Sequence, residues 1–241
     1  MPMAFDSFWV YLSASPLWWL TLTILVYLAA QKLFLKSGSA ALLNPVAVSI
    51  VVLIALLELS HTSYDAYFAG AQFLHFLLGP ATVALAVPLF RQMARLRAIW
   101  FPVTVSLAVG VLTGAFSAVA IGYVLGLDRT TLLSLAPKSV TTPVAMGISE
   151  VLGGIPAMTA AFVVFTGITG AVIGLRVLKA AGVTDESAVG TAMGVTAHGV
   201  GTARAFEVHP VSGAFAGLAM ALAAFLTALL LPPLFEWLGW R

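Results

Sequence analysis

The sequence predicts an all-α fold, a polytopic transmembrane helical bundle of about 7–8 spans with broken or re-entrant helices among them. Three observations carry this. Of the 241 residues, 61% are hydrophobic and 8% charged, and the mean hydropathy is +1.06; a water-soluble domain of this length has no use for so much apolar surface. Uncharged stretches cover 7–31, 37–57, 66–90, 98–127, 155–175 and 208–235, each long enough for the ~20 residues that a crossing helix needs. Two further segments, 130–149 and 187–203, are apolar but dotted with polar residues. The first stretch lacks a basic flank, a short apolar core and a small-residue cleavage site, and is expected to be a retained span. All of 1–241 is expected to be one integral membrane domain.

Basic residues orient the spans. They cluster at Lys32 and Lys36, at Arg91, Arg95 and Arg97, at Arg176 and Lys179, and at Arg241, and the positive-inside tendency places these on the cytoplasmic side, with the N-terminus outside. Spans over 8–31, 40–59, 65–90 and 99–126 then alternate, leaving Asp128 and Arg129 outside. A full crossing by 131–149 would put Arg176 and Lys179 outside as well. That segment is therefore expected to dip in and return, with 155–178, 185–207 and 210–233 as the remaining spans. A shift of 120 positions superposes Asp65 on Asp185, Gly70 on Gly190, Gly79 on Gly199 and Thr82 on Thr202. Since the paired spans run in opposite directions by charge, an inverted repeat of halves 1–120 and 121–241 is expected, a plan that places substrate sites near the midplane at discontinuous helices.

Chemistry concentrates at the breaks. In Ser134-Leu-Ala-Pro-Lys-Ser-Val-Thr-Thr-Pro-Val-Ala-Met146, Pro137 and Pro143 interrupt a helix, because a proline removes a donor and crowds the carbonyl four residues back. Thr142 as cap and Pro143 as the first residue of a new helix would turn unpaired N–H groups and a positive dipole end toward the break, which suits an anion. Lys138 adds a full positive charge, and Ser139 and Thr141 add hydroxyls. In the bland alternative Lys138 snorkels to the interface and the hydroxyls patch a kink. Gly79-Pro80, with Thr82 in the next turn, repeats the device. In Ala197-His-Gly-Val-Gly-Thr-Ala-Arg204, Gly199 and Gly201 permit an unwound backbone beside His198, Thr202 and Arg204. Arg204 reads as a carboxylate partner or as a simple i,i+3 pair with Glu207; His198, with Glu207, is a candidate for ion coupling or else a satisfied interior histidine.

The rest of the chain is plainer. Asn44-Pro45 and Asp185-Glu186 look like helix starts, and Trp18, Trp19, Trp237 and Trp240 like interfacial belt residues. Glu58, His61 and Asp65 have no metal-ligand spacing. The absence of cysteine excludes disulfides and thiolate sites, and no phosphate loop, zinc-protease helix or nucleophile elbow is present. The net charge of +2 suits cytoplasmic loops better than nucleic acid. An enzyme is not expected, nor a cofactor or metal.

PKSVTTPVAM (137–146), LGGIPAMTAAFVVFTGITGAVIG (152–174), GVTAHGVGTARAFE (194–207) and LLGPATVALAVPLFRQ (77–92) closely resemble the LrgB/CidB family of bacterial membrane proteins, also represented by the C-terminal part of the plastid glycolate/glycerate translocator. The resemblance runs from about residue 16 onward. It implies a multi-pass protein of the bacterial inner membrane, a smaller LrgA/CidA-type membrane protein as partner, and two functions of different class. One is transport of a small monocarboxylate of the glycolate, glycerate or pyruvate class. The other is antiholin-like regulation of murein hydrolase export and cell lysis. Small-residue faces such as Gly167-Ile-Thr-Gly170-Ala-Val-Ile-Gly174 also leave room for a homo-oligomer.

Overall fold

The computed structural model describes residues 16–37, 43–84 and 86–240. The starts of the first two expected spans, 8–15 and 40–42, and Arg241 lie outside the described residues, as do the side chains at Gly79 and Thr82. The described chain is all-helical, and four of its helices are long and apolar enough to cross a membrane: Leu17–Lys36, Trp100–Val124, Pro156–Ala180 and Pro210–Trp237. It forms two compact units, Met1–Ala84 and Leu85–Arg241.

The first unit holds α1 (Pro16–Lys36), α2 (Pro45–Leu59) and α3 (Tyr64–Ala84). Asn44 starts α2 as its sequence suggests: its side-chain oxygen accepts from the N–H of Val46 (3.0 Å) and Ala47 (3.2 Å), satisfying donors that a helix start leaves orphaned. Trp19 is not a belt residue. It is 1% exposed, set edge-on to Tyr67 with ring centroids 5.8 Å apart, and the Tyr67 hydroxyl reaches Thr23 at 3.2 Å. The expected break at Gly79-Pro80 is absent as well. α3 runs through Pro80, since one proline frees a single carbonyl and a membrane helix tolerates that where neighbouring groups or local adjustment re-satisfy it.

The second unit comprises α4 (Ala86–Arg91), α5 (Met93–Ala98), α6 (Trp100–Val124), α7 (Arg129–Leu135), α8 (Thr142–Leu152), α9 (Pro156–Ala180), α10 (Glu186–Val208) and α11 (Pro210–Trp237). α6 starts at the end marked by Arg95, which bonds Asp185 at the start of α10 at 2.7 Å. It finishes at the end marked by Asp128, which caps α7.

From the Asp128 end the chain turns inward and comes back. α7 passes Gly122, where an added Cβ would stand 2.7 Å from Leu132; the turn at 136–141 brings the Ser139 hydroxyl to 3.2 Å from a Cβ on Gly114, two helical turns deeper along α6. α8 then returns. A knot of buried hydroxyls closes the base of this hairpin. Ser134 Oγ accepts from the Ile155 N–H at 2.7 Å, and the Thr159 hydroxyl lies 2.9 Å from the Ser134 carbonyl and 2.7 Å from Ser149 Oγ. Gly153 ends α8 with φ +88°, a left-handed cap that suits glycine.

α10 folds back in the same manner from the opposite end. Its first arm, 186–197, lies parallel to α11: a Cβ on Gly190 would meet the Ser212 carbonyl and one on Gly194 the Ala216 carbonyl. At His198 the backbone leaves the helix, with φ 41° and ψ −125°. The second arm runs antiparallel to α11, with Thr202 beside Met220 and Phe206 beside Gly213. A Cβ at Gly201 would stand 2.5 Å from the Met193 carbonyl and 2.6 Å from Ala197 Cβ, so glycine there lets the two arms touch. The arms close where they began, with Glu186 3.8 Å from His209. The segment 185–207 is thus a hairpin rather than the expected crossing. α11 consequently starts at the Arg95 end and finishes at the Asp128 end, where the Arg129 guanidinium reaches the Gly239 carbonyl at 3.4 Å; the direction expected for 210–233 is reversed.

A repeat inside this unit becomes visible from that geometry. A hairpin followed by a long helix occurs twice, 129–180 and 186–237, in opposite senses. A shift of 57 positions superposes the capping Asp128 on Asp185 and Glu150-Val151 on Glu207-Val208. The core between the hairpins is apolar, built from Leu107, Val111 and Ala115 of α6, Val140, Ile148, Val163, and Phe215, Ala219 and Phe235 of α11.

Candidate functional site

The two hairpin tips carry polar side chains inward, Lys138 and Ser139 half-buried on the first and His198 and Thr202 buried on the second. At the first tip, Pro137 is fully buried and the turn is held by Lys138 N–H to the Leu135 carbonyl at 3.1 Å. Thr141, not Thr142, is the N-cap of α8, with extended dihedrals (φ −61°, ψ 143°) and no capping bond from its side chain; Thr142 is the first helical residue and Pro143 the second. The cap sits one residue early because a proline disfavours a helical conformation in the residue before it without forbidding it, and at the second helical position its missing donor costs no intrahelical bond. Among the described residues the N–H groups of Thr142 and Val144 find no acceptor outside their helix. These donors and the positive end of the helix face the turn that carries Lys138 and Ser139, whose side chains are 3.2 Å apart.

At the second tip the break falls on His198 itself. Gly199 and Gly201 have no left-handed dihedrals; the positive φ belongs to the histidine, a conformation that costs a non-glycine residue of order 1–3 kcal/mol. Burial and bonding hold it there. His198 is 5% exposed, its Nε2 is 3.0 Å from the Val163 carbonyl, and Gly167 leaves room for the ring, since a Cβ there would stand 2.6 Å from Cε1. As the carbonyl can only accept, Nε2 carries the proton and Nδ1 remains the basic nitrogen. Thr202 donates to the His198 carbonyl at 2.8 Å; its hydroxyl satisfies backbone freed by the kink. The side chain of Val163 shares one apolar cluster with Ala136 and Val140 of the first turn, so both tips border that cluster.

Arg204 sits six residues down the returning arm and bonds Glu207 at 2.5 Å. The i,i+3 pairing anticipated as an alternative is present, and the two residues lie toward the Arg95 end rather than at the tip. Thr82 belongs to the other unit.

From the Arg95 end a cavity of about 640 Å³ runs between α6 and the first arm of α10, lined by Arg95, Ser106, Gly110, Thr191, Val195 and Thr196 among others. At its rim the Asp185 carboxylate accepts from the Ser187 hydroxyl, the Ala188 N–H and Arg95. The Ser187 bond, then the backbone donor, then the Arg95 charge hold its carboxyl below the usual carboxylate range. Sequence reasoning missed this cavity and the hydroxyl knot. Their parts are small residues and single hydroxyls on apolar helices, and only the fold-back of α10 brings them together.

The comparisons agree with the resemblance read from the motifs. The chain is 40% identical over 208 residues to the uncharacterized protein YwbG of Bacillus subtilis, covering 86% of this chain and 92% of the relative. It is 36% identical over 217 residues to the uncharacterized protein YxaC of the same organism, covering 90% and 94%. To the antiholin-like protein LrgB of Bacillus cereus it is 29% identical over 225 residues, covering 93% and 98%. No solved structure matches. The LrgB-like family model matches residues 23–237, and the chain belongs to that family of helical membrane proteins.

Proposed function

We propose that this LrgB-family protein carries a small monocarboxylate, of the glycolate, glycerate or pyruvate class, across a bacterial inner membrane by alternating access. The observation that supports it best is the pair of hairpins of half-length helices, entering from opposite ends, with Lys138, Ser139, the unpaired N–H groups at the start of α8 and His198 at their tips. Half-helix termini and irregular backbone inside a membrane suit a ligand cavity, and an ammonium beside backbone donors suits one carboxylate. The Arg95 end, with Arg91, Arg97, Arg176 and Lys179, is cytoplasmic by the positive-inside tendency. Residues 129–152 and 186–208 then re-enter the membrane without crossing it. Ion coupling would fall to His198 rather than to Glu207, which is held by Arg204.

The second reading, antiholin-like regulation through an LrgA/CidA-type partner, is favoured by the name of the B. cereus relative, antiholin-like protein LrgB, and needs no anion site. Uptake of radiolabelled glycolate or pyruvate into proteoliposomes separates the two. Carriage predicts uptake in the wild type that falls at least tenfold in Lys138→Ala while the protein still inserts. No uptake by the wild type, with or without the partner, leaves the regulator, and uptake unchanged in Lys138→Ala removes the tip from the path.

A further inference from the structure

We infer that Val195 is the barrier between the cytoplasmic cavity and the hairpin tips, so that the structure represents a state open toward the Arg95 end and stopped one side chain short of the site. The inference rests on the carrier reading for its purpose, and on packing alone for its geometry. One face of α6 sets the order. Ile99, Val103, Ser106 and Gly110 follow one another at helical spacing and line the cavity; Gly114, one turn further on the same face, meets Ser139 of the first tip. Across Gly110 stands Val195, its Cγ1 2.8 Å from where a Cβ would be. It is 4% exposed and marks the inner limit of the cavity with Thr196.

The remaining wall explains why the barrier is one side chain deep. Val195 lies three residues before His198, on the arm whose end is the second tip. On its other flank Ala197 is seated against Gly170 and Met193 against Gly174 of α9, with Cβ positions 2.6 and 2.8 Å away. These glycine notches bring the arm close to α9, so only the side facing α6 has room to open. At the far end of the first hairpin Ser134, Ser149 and Thr159 are fully buried, the Thr159 hydroxyl on Ser149 and the Ser134 carbonyl and the Ser134 hydroxyl on the backbone of Thr130 and Ile155, and they close the route toward Asp128. A carboxylate arriving from the Arg95 end would pass the hydroxyls of Ser106 and Thr191, both in the cavity wall, and then meet two γ-methyl groups. Moving the first arm of α10 away from α6, or removing those methyls, joins the cavity to Lys138 and Ser139.

The natural lack of cysteine makes this directly measurable with single thiols. Ser106→Cys and Ser139→Cys are placed in the wild-type chain and again with Val195→Ala, in inside-out vesicles, and labelled with a charged, membrane-impermeant methanethiosulfonate. The expected result is rapid labelling at 106 in both backgrounds, and labelling at 139 that rises at least tenfold when Val195 is truncated. Equal rates at 139 in the two backgrounds, fast or slow, overturn the barrier, and a protected thiol at 106 overturns the cavity as an aqueous path. Val195→Ser serves as a second truncation, with labelling at 106 reporting that the helices are in place. These rates do not depend on which ligand is carried. Failure of glycolate and pyruvate uptake with the labelling pattern intact would remove the substrate and leave the barrier, whereas uptake with a flat labelling pattern would do the reverse.

Discussion

Replacing Gly194 by alanine tests the fold-back of α10 at one of the two places where its first arm meets the backbone of α11. The new methyl group would sit on the Ala216 carbonyl of α11. That oxygen belongs to helical backbone and cannot rotate aside, so the arm must retreat from α11 by roughly 1 Å, and a gap of that size forfeits a quarter to a half of each dispersion contact along it. The buried trio Met193, Ala205 and Ala216 spans both arms and α11 and loosens with it. Overpacking of this kind costs about 1–3 kcal/mol, against which alanine returns up to about 1 kcal/mol of helix propensity. Because the obstruction is helical backbone rather than a side chain that can swing away, the upper part of that range, about 2–3 kcal/mol, applies; the net loss is about 1–2 kcal/mol, or roughly 2–8 °C in melting temperature for a chain of this size. Gly147 of α8 is the counterpart, because nothing lies within 4 Å of its added Cβ; there the same substitution gains about 0.5–1 kcal/mol. Thermal melts in one detergent should therefore move in opposite directions. A Gly194→Ala protein as stable as the wild type would mean that the first arm does not lie against α11.

Thr159→Val keeps the volume but strips the hydroxyl shared by Ser134 and Ser149, costing about 1–3 kcal/mol, which a melt and faster proteolysis near Gly153 would register. His198→Ala should be less stable than His198→Gly by about 1 kcal/mol, since both lose the bond to Val163 but only glycine relieves the positive φ; the reverse order in a melt would contradict the kink. For Asp185 the folded carboxyl titrates lower than the unfolded one. Its stabilisation is therefore full above the unfolded value of about 3.9 and fades as pH falls through the folded value. The melting difference between wild type and Asp185→Asn should thus be constant near neutrality and vanish in acid.

Much of the first hairpin was legible because proline and threonine have fixed local effects. Pro137 and Pro143 announced a break, and the charge at Arg176 and Lys179 required the chain to return. The second hairpin was not legible as such. A kink in a crossing helix and a reversal leave the same glycines in the sequence, and what distinguishes them is tertiary: Gly190 and Gly194 against α11, Gly201 against Met193. The pairing of Arg204 with Glu207 was readable from spacing alone, but whether it would prevail over a ligand role was not. At Gly79-Pro80 local rules overstated the case, since a proline perturbs one turn and the remaining turns of α3 continue through it. The glycines at 199 and 201 drew attention to the right segment, yet the residue that breaks the helix is the histidine between them and Ala197, held by a carbonyl thirty-five positions away.

The half-length helices also bear on how the protein is made. Arms of 7 to 12 residues span roughly 10–18 Å, well short of the ~30 Å of hydrocarbon, and their tips carry backbone groups that lipid cannot satisfy. Neither hairpin can be handed to the bilayer as an independent segment in the way that α6, α9 and α11 can. Each needs a groove already built by those helices, and α11, the wall of the second hairpin, is synthesised after it. On the proposed topology, with the Arg95 end cytoplasmic, residues 186–208 wait at that surface until the last helix is in place, and a chain truncated before Pro210 should leave the segment open to cytoplasmic protease while α6 and α9 are protected.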